Sequence, residues 1–257
     1  MRSPAQTPAS SDHGSTQLLG CTEDALLWFR RRGFLQAASA WVAMGGWQAA
    51  VAQQRSNIVD LQGDALVNGQ PLSRQQTLQT GDTVQTGPGS SVVFVIGNAS
   101  FMVRQNTHMT VERGASLFTV TVLRLLSGAV ASVWGTGTRR QIVTPTLTAG
   151  IRGTGVYTEV FPTQDNRSYF CNCYGQVDLN AGDSAVLSKA VYHQAFWGEP
   201  APRDGRSLTP AKALNHTDEE LEYLAALVGQ RTAWEVMEKK GVKDGSGMID
   251  GKSDYTN

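Results

Sequence analysis

Apolar and polar positions alternate along this chain in a way that predicts strands almost from end to end of its middle portion. Between residues 57 and 200 the apolar residues fall at a period of two or in short unbroken runs, and Gly, Asn or Pro closes each run. Residues 57–67 end on Asn68-Gly69, a strong hairpin signal. Residues 77–86 contain Gly81-Asp82 and are closed by Gly87-Pro88-Gly89, and the apolar run 91–96 is bounded by Gly97-Asn98. Further runs are expected at 101–104, 108–112, 117–125, 129–134, 140–143, 156–161, 167–173, 176–179, 184–187 and 190–197. Many short strands at near-regular spacing predict an all-β fold, a roll, sandwich or solenoid.

The pattern changes after residue 200. Pro200, Pro202, Gly205 and Pro210 predict a linker over 201–215, followed by a short helical segment over 217–240. Thr217 and Glu220 stand at capping-box spacing, and Asp218 and Glu219 suit the positive end of the helix dipole. Leu221, Leu224, Ala225 and Val228 form one apolar stripe for docking. Gly229 predicts an end or kink, and Gly241 a second stop after Lys239 and Lys240. Residues 1–29 and 241–257 are rich in small and polar residues and are expected to be disordered.

Composition narrows the function. The 257 residues carry 22 basic and 22 acidic side chains, so there is no positive field for duplex nucleic acid. Three cysteines, only two of them close together, do not make a disulfide scaffold. Residues 30–52 resemble a twin-arginine export signal. Arg30-Arg31-Arg32-Gly33-Phe34-Leu35 is followed by an apolar run diluted by Gly45, Gly46 and Gln48, then by the small-x-small pattern Ala50-Val51-Ala52. That resemblance implies a periplasmic protein whose mature chain begins near Gln53. The alternative is an uncleaved anchor in the inner membrane, facing the periplasm. Leu18-Leu19-Gly20-Cys21 looks like a lipoprotein box but has no apolar stretch before it.

Residues 63–179 resemble the FecR domain. The resemblance rests on Gly63-Asp64 and Val67-Asn68-Gly69, then on the run from Leu78 to Gly87 containing Thr80-Gly81-Asp82 and Thr86-Gly87. Ser90-Ser91-Val92-Val93-Phe94, Phe101-Met102-Val103 and Leu123-Arg124-Leu125-Leu126-Ser127-Gly128 follow in order. Thr144-Pro145, the signature Ile151-Arg152-Gly153-Thr154 and the closing Tyr174-Gly175-Gln176-Val177 complete it. The resemblance implies a periplasmic all-β module of the kind that senses in iron-transport signalling. Unlike those regulators, the chain is expected to lack an N-terminal cytoplasmic region of the kind that binds a sigma factor.

Candidate chemistry centres on Cys171 and Cys173. On a strand both side chains face one way, with Cα atoms about 6.5–7 Å apart, near the upper limit for a disulfide. Three readings remain open: two small buried apolar residues, a strained and reducible bridge, or two ligands of a soft metal site for zinc or copper. Tyr174-Gly175 predicts a turn that leaves the pair near a strand end. Further ligands are sought in His193, on a later strand, and His216, at the helix entry; His108 and His13 have no spacing argument. Arg152, with Gly153 and Thr154, is expected to pin a carboxylate or carbonyl within the fold. Gly135-Thr136-Gly137-Thr138 lacks the Lys-Ser/Thr of a phosphate loop and is expected to be a turn. No nucleophile–base–acid set is visible, and the chain is not expected to be an enzyme.

The functional expectation is therefore an exported binding or scaffold module that engages a protein or cell-envelope partner. The alternatives are a periplasmic metal-binding or thiol-redox protein centred on Cys171 and Cys173, and a signalling regulator of the iron-transport type.

Overall fold

The computed structural model describes residues 56–112, 116–137 and 139–249. The export signal, Cys21 and His13 lie outside these residues. The described chain is mostly strand: β1 (Ile58–Gln62), β2 (Ala65–Val67), β3 (Gln70–Pro71), β4 (Thr83–Thr86), β5 (Ser91–Ile96), β6 (Ala99–Val103), β7 (His108–Val111) and β8 (Val122–Trp134) come first. Then follow β9 (Arg140–Val143), β10 (Thr148–Phe161), β11 (Arg167–Ala181), β12 (Ser184–Ala190), β13 (Tyr192–Arg203) and β14 (Arg206–Ala211). Two short helices, α1 (Asp218–Leu227) and α2 (Ala233–Met237), precede the two-residue strand β15 (Ser246–Gly247). No helix among the described residues is long and apolar enough to cross a membrane.

All strands join one open sheet whose main path runs β14-β13-β11-β10-β9-β8-β7-β4-β2-β3. Pairing is antiparallel except between β8 and β9. Four strands are much longer than the sequence pattern predicts, because glycines expected to end strands lie inside them. Gly128 has φ +75° within β8, and a Cβ there would stand 2.5 Å from the Thr107 Cα. Gly175 has φ +100° within β11, where a Cβ would meet the Gly153 carbonyl oxygen at 2.9 Å. The β10–β11 register shifts between Arg152 and Gly155 and again at Val156. These are bulges that bend a continuous ladder, and glycine supplies the backbone angles they need.

The expected linker is also strand. β13 extends to Arg203, and β14 pairs back on it through Arg203↔Arg206 and Trp197↔Thr209. Pro210 sits in β14, at the edge of the sheet, where its missing N–H costs no ladder bond. The tail expected from residue 241 likewise begins with ordered chain, since Ser246 and Gly247 pair with Gln194 and Tyr192. In the helical segment, Thr217 caps α1 with Glu220 as expected, and Thr232 with Glu235 repeats the capping box for α2.

Period-two alternation divides the buried residues into two layers. On β8, Leu123, Leu125, Val130 and Trp134 face one layer; Ala129, Ala131 and Val133 face the other. On β11, Phe170, Val177 and Leu179 join the first layer, and Tyr169, Cys171 and Cys173 the second. The second layer is closed by Leu221, Leu224 and Ala225 of α1 and by Trp234 of α2. The sheet face bearing both cysteines is thus the face that the helical segment covers. Ser100 Oγ donates to the Leu224 carbonyl, and Arg104 pairs with both carboxylate oxygens of Glu220 at 2.5 and 2.6 Å.

One ion pair fastens β11 to β13. Arg167 donates to both oxygens of Glu199, at 2.6 and 2.8 Å, and lies over the Trp197 ring at 4.0 Å. Burial opposes ionisation of Glu199, but Arg167 and the Thr209 hydroxyl outweigh it and hold the pKa below the ordinary carboxylate value. Glu199→Gln is expected to cost about 3 kcal/mol at pH 7, the low end for a broken buried pair. Because the folded pKa is lowered, this contribution is complete above the unfolded pKa of about 4.3 and is lost as pH falls through the folded value. Urea unfolding of wild type and variant should differ at pH 7, and the gap should close only as pH falls through the lowered folded pKa of Glu199. A gap that persists in acid would assign the loss to packing.

Candidate metal centre

Period two places Cys171 and Cys173 on the same face of β11, opposite Phe170 and Asn172. Both are free thiols and fully buried. They lie mid-strand and are not accessible, since Gly175 forms a bulge and not the expected turn. Asn172 points the other way, where its amide donates to the Gly175 carbonyl and the Ser188 hydroxyl.

His193 arrives from β13 through a local irregularity. The β11–β13 ladder stops at Asn172↔Gln194, and the β13–β15 register shifts between Tyr192 and Gln194. His193 itself has φ +43°, a conformation that costs a β-carbon residue on the order of 1–3 kcal/mol. The irregularity turns its ring onto the cysteine face. His216 comes from the chain entering α1, one residue before the cap Thr217. Tyr169 Oη fixes that entry by donating to the Lys212 carbonyl and accepting from the Leu214 N–H.

Four donor atoms converge there: the two sulfurs, His193 Nδ1 and His216 Nε2, all within 4.8 Å of one another. The closest approaches are Cys171 Sγ to His193 Nδ1 at 3.7 Å, Cys173 Sγ to His216 Nε2 at 3.4 Å, and nitrogen to nitrogen at 3.0 Å. Around a tetrahedral zinc, with bonds of about 2.0–2.1 Å to nitrogen and 2.3 Å to sulfur, such atoms stand roughly 3.3–3.8 Å apart. The donor set therefore has the size of one mononuclear site. It is too compact for an iron–sulfur pair, in which the Cys and His ligands sit on different irons.

The outer hydrogen bonds decide which nitrogens carry protons. His193 Nε2 lies 3.0 Å from Asp218 Oδ1, and His216 Nδ1 lies 2.5 Å from the Leu214 carbonyl. An oxygen acceptor at each of these positions requires an N–H there. When both rings are neutral, each turns a bare lone pair inward, and the two nitrogens face each other at 3.0 Å. Two bare nitrogens at that distance repel unless a metal ion or a shared proton lies between them; burial opposes a proton on both nitrogens of His193, but Asp218 and Cys171 outweigh it and raise its pKa.

Asp218 is the hub of the surrounding shell. Its carboxylate accepts from His193 and from the Tyr192 hydroxyl at 3.0 Å, and pairs with Lys243 at 2.7 Å and Lys240 at 3.2 Å. Burial opposes its ionisation, but His193 and Lys243 outweigh burial and hold its pKa well below the carboxylate range. Burial likewise opposes ionisation of both thiols. At Cys171 the hydrogen bond with Cys173 and the charge of His216 prevail, and its pKa falls well below the usual thiol value. Cys173, buried beside that thiolate, is pushed well above it. The two thiols are thus pushed apart, Cys171 toward the thiolate and Cys173 toward the thiol. Aromatic rings wall the site: Tyr157 stacks on His216 at 4.7 Å between centroids, and Trp234 on His193 at 5.2 Å.

The other sequence candidates fall elsewhere. His108 lies on β7 opposite Ser127 and is not among the four clustered residues. Arg152 meets the Asp178 carboxylate at 3.0 Å across β10 and β11, but at the surface, with its side chain 63% exposed. Gly153 and the buried Thr154 form the bulge beside it. Asp218, Tyr157, Trp234 and the two lysines were not legible as parts of a site. Only the closeness of His216 and Asp218 at a helix start hinted that one element could supply both a ligand and its partner.

No family model and no curated protein matches the chain. Two crystal structures of a "putative anti-sigma factor" from Parabacteroides distasonis are structural neighbours, at 10% and 11% identity and a TM-score of 0.40. Each alignment covers 50% of this chain and 58% of that protein.

Long-range proton–nitrogen NMR of the metal-loaded protein at pH 7 should find His193 protonated at Nε2 and His216 at Nδ1. The opposite tautomer at either ring would remove that histidine from the donor set.

Proposed function

We propose that this protein binds a single soft metal ion, zinc in the first instance, through Cys171, Cys173, His193 and His216. The observation that carries the reading is the convergence of two imidazole nitrogens and two sulfurs within 4.8 Å of one another in a buried space. Asp218 and the Leu214 carbonyl would hold the two rings in their ligating tautomers, as carboxylate–histidine–zinc arrangements do. Four protein ligands leave no position open for substrate, so the ion would be structural and not catalytic. Copper(I) shares the preference for thiolate and imidazole and is the competing ion.

We place this centre in an exported FecR-like module that engages a protein or cell-envelope partner. The ordered motifs between Gly63 and Val177 and the twin-arginine-like segment support that placement. Cell fractionation tests the export, and recovery of the chain only from cytoplasm would sink it.

Protein expressed in the presence of zinc and dialysed against buffer should retain about one equivalent per chain by elemental analysis. Cys171→Ser and Cys173→Ser should each weaken zinc by more than a hundredfold in chelator competition. Asp218→Asn, which keeps a hydrogen-bond acceptor but loses the charge, should weaken it by about ten- to hundredfold. Substoichiometric zinc and copper in wild type, with no change in any variant, would overturn the reading.

A further inference from the structure

The four ligands are divided between two parts of the fold. Cys171, Cys173 and His193 belong to the sheet, on β11 and β13. His216 belongs to the segment 212–249, which leaves the sheet after β14 and lies back over its cysteine-bearing face. The same segment passes the site again at its far end. Lys243 pairs with Asp218, and Gly247 and Ser246 pair with Tyr192 and Gln194 on either side of His193. Three ligands are fully buried and His216 is 8% exposed, so the segment is what separates the donor atoms from solvent.

We propose that segment 212–249 is a metal-locked latch, in which holding the ion and closing the segment are one equilibrium. This rests on the metal-binding reading above. An ion held by both sheet and segment binds the closed form far better than an open form that offers only three ligands. By linkage it must stabilise closure by the same factor that closure tightens its binding. Release of the ion, in turn, requires the segment to lift, because no donor atom is reachable while it is down.

The segment has its own hold on the sheet, and this allows the latch to be tested away from the ligands. Leu224 is fully buried against the sheet face, and its carbonyl accepts from Ser100. Opening lifts this face as a unit while β8 and β10 remain paired with each other.

Hydrogen exchange of the full chain, zinc-loaded and after stripping with a chelator under reducing conditions, reads the latch directly. Zinc content is measured on the same samples. On stripping, amides of 217–227 and 246–247 should exchange at least tenfold faster, while those of 122–134 and 148–161 keep their protection. In zinc-loaded Leu224→Ala, transfer of zinc to excess chelator should be at least tenfold faster than in wild type, although no ligand is altered. Ser100→Ala is the milder companion if Leu224→Ala fails to fold, and should accelerate transfer several-fold. Stoichiometric zinc with unchanged exchange, or with equal loss of protection throughout the sheet, overturns the latch and leaves the metal reading standing. Unchanged transfer rates in the variants also overturn it. Absence of bound metal overturns both.

Discussion

Everything around the cysteine-bearing face depends on one constraint: four polar donor atoms converge in a buried space. Buried polar groups must be satisfied, and the two inward lone pairs of His193 and His216 are each other's nearest neighbours at 3.0 Å. The proton positions cannot simply be exchanged to relieve this. Reversing either ring would set a lone pair against Asp218 or against the Leu214 carbonyl. A metal ion in the centre would satisfy all four donors at once, and Asp218 and the Leu214 carbonyl hold the two rings in the tautomers that suit it. Burial opposes the ionisation of Asp218, but His193 and Lys243 hold it ionised, so it continues to demand the Nε2 proton of His193.

The same constraint explains why the helical segment takes the form it does. Asp218 is the first residue of α1, so its carboxylate meets the helix dipole as well as His193 and the lysines. His216 precedes the cap, which places its ring against Tyr157 rather than along the helix surface. A helix of ten residues would be marginal alone in water. Its capping box, its buried Leu221 and Leu224 and its contact with the ligand shell all fix the same end and the same face.

Local rules made part of this visible beforehand. Period two alone put Cys171 and Cys173 on one face, and the capping box located the start of α1 to the residue. The all-β class followed from the strand pattern. The lengths of the strands did not, because a glycine that ends one strand and a glycine that bulges another look alike in sequence. Gly128 and Gly175 are bulges only because Thr107 and Gly153 lie close across the ladder, and those are non-local contacts. Pro210 misled for a related reason: a proline excludes a central strand but not an edge. His193 was a candidate by spacing, yet its direction is set by a positive φ at a register shift that no pattern announces. Asp218 had a sufficient local explanation as a first-turn acid, and that explanation hid its part in the site.

Chain order adds a kinetic consequence to the geometry. Cys171, Cys173 and His193 are all in place once β11 and β13 have paired, whereas His216 and the cover of Trp234 come from residues further along. In the proposed latch, a three-ligand site on an uncovered sheet would exchange its ion with solution, whereas the four-ligand site beneath the segment would hold it. Each imidazole is walled by an aromatic ring, Tyr157 over His216 from β10 and Trp234 over His193 from α2, so in the proposed latch the barrier to loss would be opening of the segment. An ion captured before closure would therefore be retained by the stability of the segment as much as by the strength of its ligands. Substitutions that touch only the docking of α1 would then act on the metal, and substitutions that touch only the metal would act on the docking of α1.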